Sequence, residues 1–185
     1  MLDDKNSVTL KAPVTLTLNG FNWFGSDMAS VKLQDSSVML FVGSPGYGPI
    51  YQEEGSIYAF QSNGKGSFRL KYSKRGGKEF VAFGSKLEIV KIDNGESFLA
   101  VASPSLEVPD ESGNSEKGWQ TGCISFFKID LSNGIIGVNS ELRIFGPSQA
   151  SQFGSSFFQL LDGGKVFVAD PSYCNGNSRS FEMNA

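Results

Sequence analysis

Two stretches of this sequence place side chains that could do chemistry close together. Glu53 and Glu54, and again Asp110 and Glu111, are adjacent carboxylates, and such a pair serves as acid and base when one is held protonated and the other ionised. Tyr47, Tyr51, Trp119 and Tyr173 stand beside these acids or in the matching place further on, and aromatic rings with a few fixed polar groups make binding patches. The plainer alternative is that the acids are solvated charges in Gly- and Pro-rich connections, and that the rings pack against a neighbouring layer. Lys74-Arg75-Gly76-Gly77-Lys78 could hold a phosphate, but it lacks P-loop spacing and is expected to be a solvated connection between strands. Cys123 and Cys174 lie far apart with no Cys-x-x-Cys, which leaves a disulfide or two buried free thiols. Histidine is absent, so Ser-His-Asp and Cys-His catalysis and every His-containing zinc site are excluded. Binding is therefore expected before catalysis.

The elements that must position these groups are short strands. Over 185 residues with a net charge of -3, 39% apolar content fits a globular chain, and no run approaches the roughly 18 apolar residues of a membrane span. The net charge of -3 is spread without blocks, which argues against a nucleic-acid partner. Glycine at 22 and phenylalanine at 16 are both enriched, as expected where many tight turns join packed sheets. The opening MLDDKNSVTL has neither the basic start nor the apolar core of a signal peptide, and no Asn-x-Ser/Thr sequon occurs. The expectation is an intracellular chain or a piece of a longer one.

A repeat organises the whole. Phe-Gly-Ser recurs at Phe24-Gly25-Ser26, Phe83-Gly84-Ser85 and Phe153-Gly154-Ser155, and each copy leads to a stop, Val42-Gly-Ser-Pro45, Val101-Ala-Ser-Pro104 or Val168-Ala-Asp-Pro171. From Phe to Val the offsets are 18, 18 and 15 residues. A third landmark follows, with Gly and Phe five apart at Gly55 and Phe60, Gly122 and Phe127, and Gly176 and Phe181. The apolar alternation predicts strands from each Phe-Gly to about Leu33, Ile92 and Leu161. Second strands are predicted at Val38–Gly43, Ser97–Ala102 and Lys165–Ala169, and third strands at Ser56–Gln61, Cys123–Ile129 and Ser178–Met183. Phe68–Tyr72 and Glu141–Phe145 read as fourth strands, with Val14–Leu18 in the same slot ahead of the first copy. A four-stranded antiparallel unit of this length is the blade of a β-propeller.

These motifs resemble FG-GAP repeats, the blade type of integrin α-subunit propellers and of the carboxy-terminal propeller of glycosylphosphatidylinositol-specific phospholipase D, over residues 20–185. The resemblance implies an all-β fold, a partial β-propeller of about three four-stranded blades. Residues 1–19 would give an outer strand of a preceding or shared blade, 20–80 and 81–150 two blades, and 151–185 an incomplete third. Three blades do not close a ring, so the rest must come from missing sequence, a second copy or another chain. Relatives often carry a calcium loop, but its ligand positions fall here on Val31, Leu33, Asp35 and Met39, and on Val90, Ile92, Asn94 and Phe98. Apolar side chains supply no oxygen, so no cofactor is expected and Asp93-Asn94-Gly95-Glu96 reads as an ordinary turn. Asp162-Gly163-Gly164 reads as a tight hairpin.

In phospholipases of that type the catalytic work belongs to a separate histidine-rich zinc domain, which nothing here matches. The chain itself is thus expected to be inert, a scaffold or binding surface for a hydrolase; the alternative is an integrin-like adhesion or assembly module, or a half-propeller completed by a partner chain. The resemblance implies an extracellular or lumenal location. Binding is assigned to the connections between second and third strands, which carry Tyr47, Tyr51, Glu53, Glu54, Asp110, Glu111 and Glu116, with Trp119 just beyond and Tyr173 in the shorter third connection. Phe24, Phe83 and Phe153 are expected in the core between neighbouring blades.

Overall fold

A computed structural model of the chain describes residues 23–48, 54–62, 67–77, 82–107, 120–140, 142–147, 150–159 and 165–169, and the backbone of 179–182. The described residues are all-β, without a helix, in three antiparallel sheets. The first sheet has the order β1 (Met28–Lys32), β2 (Val38–Ser44), β3 (Ser56–Ser62), β4 (Phe68–Arg75). The second holds β5 (Leu87–Lys91), β6 (Ser97–Ser103) and β7 (Cys123–Asp130), and β7 pairs with both β8 (Ile135–Ile136) and β9 (Leu142–Phe145). The third has β10 (Phe157–Gln159), β11 (Lys165–Val168) and β12 (Arg179–Glu182).

Most of these bounds fall close to those read from the sequence, and two depart from it. The Phe-Gly doublets do not begin the first strands. They form turns, because Gly25, Gly84 and Gly154 have φ of 89°, 91° and 85°, and the strands start only at Met28, Leu87 and Phe157. The fourth strand of the first sheet also continues through Lys74 and Arg75, which are therefore ladder residues paired with Ile57 and Ser56 rather than a connection. The short strand β8 had no counterpart in the sequence reading. Val14–Leu18 and Asp162-Gly163-Gly164 lie outside the described residues.

Period-two alternation decides what lies between the sheets. On β2 and β3, Met39, Phe41, Ile57 and Ala59 point one way and meet Leu99, Val101, Phe127 and Ile129 from one face of the second sheet. From its other face Phe98, Ala100, Ala102, Ile124 and Phe126 meet Phe157, Val166 and Val168 of the third sheet. Strand β6 is consequently buried at every position, and its Ser-Phe-Leu-Ala-Val-Ala-Ser sequence keeps small residues between the bulky ones so that both sides can close. Each fully buried side chain of Val, Leu or Phe size contributes about 1.5–3 kcal/mol. Neither cluster joins the first sheet to the third. Polar ties reinforce both junctions: Asp27 accepts from the Leu87 amide at 2.7 Å and pairs with Lys86 at 3.1 Å. Across the second junction, the Gln159 amide accepts from Lys91 N at 2.9 Å and donates to Lys91 O at 2.5 Å.

The Phe-Gly turns repeat bond for bond. The amides of Gly25, Gly84 and Gly154 donate to the carbonyls of Gly43, Ala102 and Ala169 at 2.8, 3.0 and 3.3 Å. Those of Ser26, Ser85 and Ser155 return to Trp23, Ala82 and Gln152 at 3.1, 3.2 and 3.1 Å. Consecutive units are then stitched together by parallel bridges, Gly55 to Phe83 and Gly122 to Phe153. A Cβ on Gly55 or Gly122 would run into the backbone of the bridged phenylalanine, which explains why the first two units have glycine at that landmark.

Candidate functional site

The long connections leave the sheets at matching points. Tyr47 N donates to Ser44 O and Leu106 N to Ser103 O, both at 3.1 Å, so each connection opens with a turn closed on the last residue of its strand. Each then returns through its glycine, with Gly55 N donating to Tyr47 O at 2.9 Å and Gly122 N to Leu106 O at 3.1 Å. These bases adjoin the stitched Phe-Gly turns, since Phe83 N donates to Glu54 O at 3.3 Å. Of the residues assigned to binding from the sequence, Tyr47 and Glu54 are described; Tyr51, Glu53, Asp110, Glu111, Trp119 and Tyr173 lie outside the described residues, as does Glu116. Tyr47 packs edge-on against Tyr58 with ring centroids 6.5 Å apart. Its hydroxyl accepts from Arg75 Nη2 at 2.6 Å, and the guanidinium carbon of that arginine lies 4.9 Å from the ring centroid. The ring thus packs on its own sheet rather than on a neighbouring one, while its hydroxyl engages an exposed cation of the same sheet.

A cleft of about 330 Å³ opens beside these bases, between the outer strands of the first and second sheets. Phe83 and Phe127 form its floor, meeting edge to face at 6.0 Å, and Lys74, Arg75 and Arg143 line it with Glu107 as the acid. Lys74 reaches its place because the ladder carries it to the end of β4, where its ammonium sits 4.9 Å from the Phe127 ring centroid and donates to the Val138 carbonyl. Arg143 arrives on β9, opposite Ser125, and its Nε donates to Ser140 Oγ at 2.9 Å. Burial, and secondarily the nearby Arg143, hold the Lys74 ammonium below its usual pKa. Among the described residues the ion pairs are Lys86 with Asp27 and Lys128 with Glu96, so none of the three cations of the cleft is ion-paired there. The sequence reading singled out Lys74 and Arg75 without this setting and passed over Arg143. No local signal marks that residue, because it meets Lys74 only when two sheets pack.

Other titratable groups are held in structural roles. Cys123 is a buried free thiol whose pKa burial pushes up to about 11; Cys174 lies outside the described residues. Burial likewise pushes the Tyr72 hydroxyl up to about 12, and that group donates to Gly134 O at 2.9 Å while accepting from Ile136 N at 3.1 Å, so it spans the first junction. At the calcium-loop positions, Val31, Leu33 and Met39 are buried in the first cluster and Asp35 accepts from the Ser37 amide at 2.8 Å. In the second unit Asn94 accepts from the Glu96 amide at 2.9 Å, an Asx turn closed on itself. Among the described residues no group of three or more acidic or sulfur side chains is arranged to hold a metal ion. No protein-family model matches the sequence, and a search of curated proteins returns no match.

Proposed function

We propose that this chain is a non-catalytic segment of an FG-GAP β-propeller, its three sheets being successive blades around one axis, resembling the propeller of glycosylphosphatidylinositol-specific phospholipase D. The observation that supports this reading is the Phe-Gly turn, which recurs with the same hydrogen bonds at Phe24, Phe83 and Phe153 and is bridged to the preceding sheet at Phe83 and Phe153. Residues 20–80, 81–150 and 151–185 are the three units, and further blades come from missing sequence, a second copy or another chain. The connections between β2 and β3 and between β6 and β7 gather on one rim as the binding surface for a catalytic region or a protein ligand, in an extracellular or lumenal setting.

Small-angle scattering with native mass measurement tests this. The expected result is an open arc of three sheets for the 20.0 kDa monomer, or a ring for its dimer. A compact particle in which the third sheet folds back onto the first sinks the reading. Hydrolysis by a longer form of the protein, lost when the upstream part is removed, supports the phospholipase-like assignment; tight protein binding without hydrolysis in any form favours the integrin-like alternative.

A further inference from the structure

The geometry points to the cleft between the first and second sheets as a binding site for a small phosphate monoester carrying an apolar or aromatic group. Its charge count argues for a dianion. Among the described lining residues, Lys74, Arg75 and Arg143 bring three positive charges and Glu107 one negative, an excess of two positive charges. A phosphomonoester carries about -1.5 to -2 near neutral pH, whereas a carboxylate carries one charge. The cations are also of complementary kinds, since two arginines offer planar forks and the lysine a compact point charge.

The like charges are not relieved inside the described protein. Lys74 feels Arg143 as a repulsion, yet the fold brings them to one cleft from strands of different sheets. Their polar contacts fix direction without using up their donors. Lys74 gives one hydrogen to Val138 O, Arg143 its Nε to Ser140, and Arg75 one Nη to Tyr47. An ammonium has three donors and a guanidinium five, so the remainder stay available to ligand oxygens. The hydroxyl-bearing Ser103, Ser125 and Ser140 add short donors on the same walls. The floor of Phe83 and Phe127, with Phe145 43% exposed at the rim, selects an ester with an apolar body over the bare anion. The site lies between the first two sheets and the connections beside them, so it stands whether or not further blades complete a ring.

Calorimetric titration of the full chain with phenyl phosphate, inorganic phosphate and benzoate decides the matter. Phenyl phosphate should saturate one site, bind several-fold tighter than inorganic phosphate, and weaken as salt rises. Lys74→Gln and Arg143→Gln should each weaken it by about tenfold with an unchanged thermal midpoint. Glu107→Gln should tighten it several-fold, a gain that a damaged fold cannot produce. Absence of saturable binding, benzoate binding as tightly as phenyl phosphate, or affinity indifferent to all three substitutions would each overturn the assignment.

Discussion

Phe24 and Phe83 stand at the same point of the repeat in unlike surroundings. Phe83 is 5% exposed, pressed between the first two sheets against Phe127. Phe24 packs on its own sheet, edge-on to Tyr58 and Phe60 at 5.5 and 6.2 Å, and is only half-buried. Trp23 and Met28 beside it are 57% and 54% exposed. At the other end of the stack Phe158 and Phe167 are stacked on each other at 5.5 Å, with Phe158 53% exposed. The backbone of a unit is therefore set within the unit, whereas the burial of Phe83 is completed by the second sheet, as in repeat architectures generally.

The largest effect that tests this contrast is cavity creation. Phe153→Ala, at a fully buried position, should cost about 3–5 kcal/mol in urea unfolding, and Phe83→Ala nearly as much. Phe24→Ala should cost about 1–2 kcal/mol in the isolated chain, because that ring is only partly buried. Should a further sheet cover that face in a longer form or an assembly, the Phe24 cost should rise toward the Phe83 value. Equal costs in the monomer would break the comparison.

Next in size is the neighbouring glycine. Gly84 has φ of 91° and a Cβ there would sit 2.8 Å from the Ser56 carbonyl oxygen; at Gly25, φ 89°, nothing described lies within 4 Å. Left-handed strain alone makes Gly25→Ala cost about 1–2 kcal/mol, and crowding adds about 1–3 more at Gly84. Thermal unfolding of the two variants reads the difference directly.

Alkali should act on the covered junction. Because burial raises the folded pKa of Tyr72 to about 12 from 10.0, the stability due to its neutral hydroxyl is whole below pH 10 and is lost as pH rises toward 12. Tyr72→Phe should cost about 1–2 kcal/mol at neutral pH through its two hydrogen bonds, a gap that narrows above pH 10. Tyr58, on the other face of the first sheet, is also shifted upward by burial, so Tyr58→Phe gives a weaker version of the same narrowing in denaturant melts run across that range.

The smallest expected effect lies in the first turns of the two units. Ser36 holds φ of 66° where the second unit has Gly95 at 85°. Ser36→Gly should stabilise by about 0.5–1 kcal/mol and Gly95→Ser should cost a similar amount, measured as opposite shifts in urea midpoint.

Where the sequence was legible, a spacing was doing the reporting. Val38–Ser44, Ser97–Ser103 and Cys123–Asp130 show themselves because apolar alternation, proline stops and the Gly-Phe landmark repeat at fixed distances. Trp23, Ala82 and Gln152 all adopt positive φ, 41°, 49° and 50°, yet three such different side chains announce nothing, since the turn is imposed by bonds from the following serine and glycine. The cleft was hidden for another reason. Lys74 reads as a loop cation until β4 is known to extend through Arg75, and its nearness to Arg143 depends on how two sheets lie against each other. The candidate binding residues of the longest connections fall outside the described residues, so of that set the structure speaks for Tyr47 and Glu54 alone.

The stitches at Gly55–Phe83 and Gly122–Phe153 also define where such a chain can be lengthened or shortened. Joining Glu54 directly to Gly122 would excise one full period and still hand β2 a partner of the right kind, because Ser44 meets Ser56 just as Ser103 meets Cys123. The module that gene duplication can copy is then not a sheet but a stagger, half of one sheet and half of the next, and insertion or loss in that phase leaves every joint it touches already fitted.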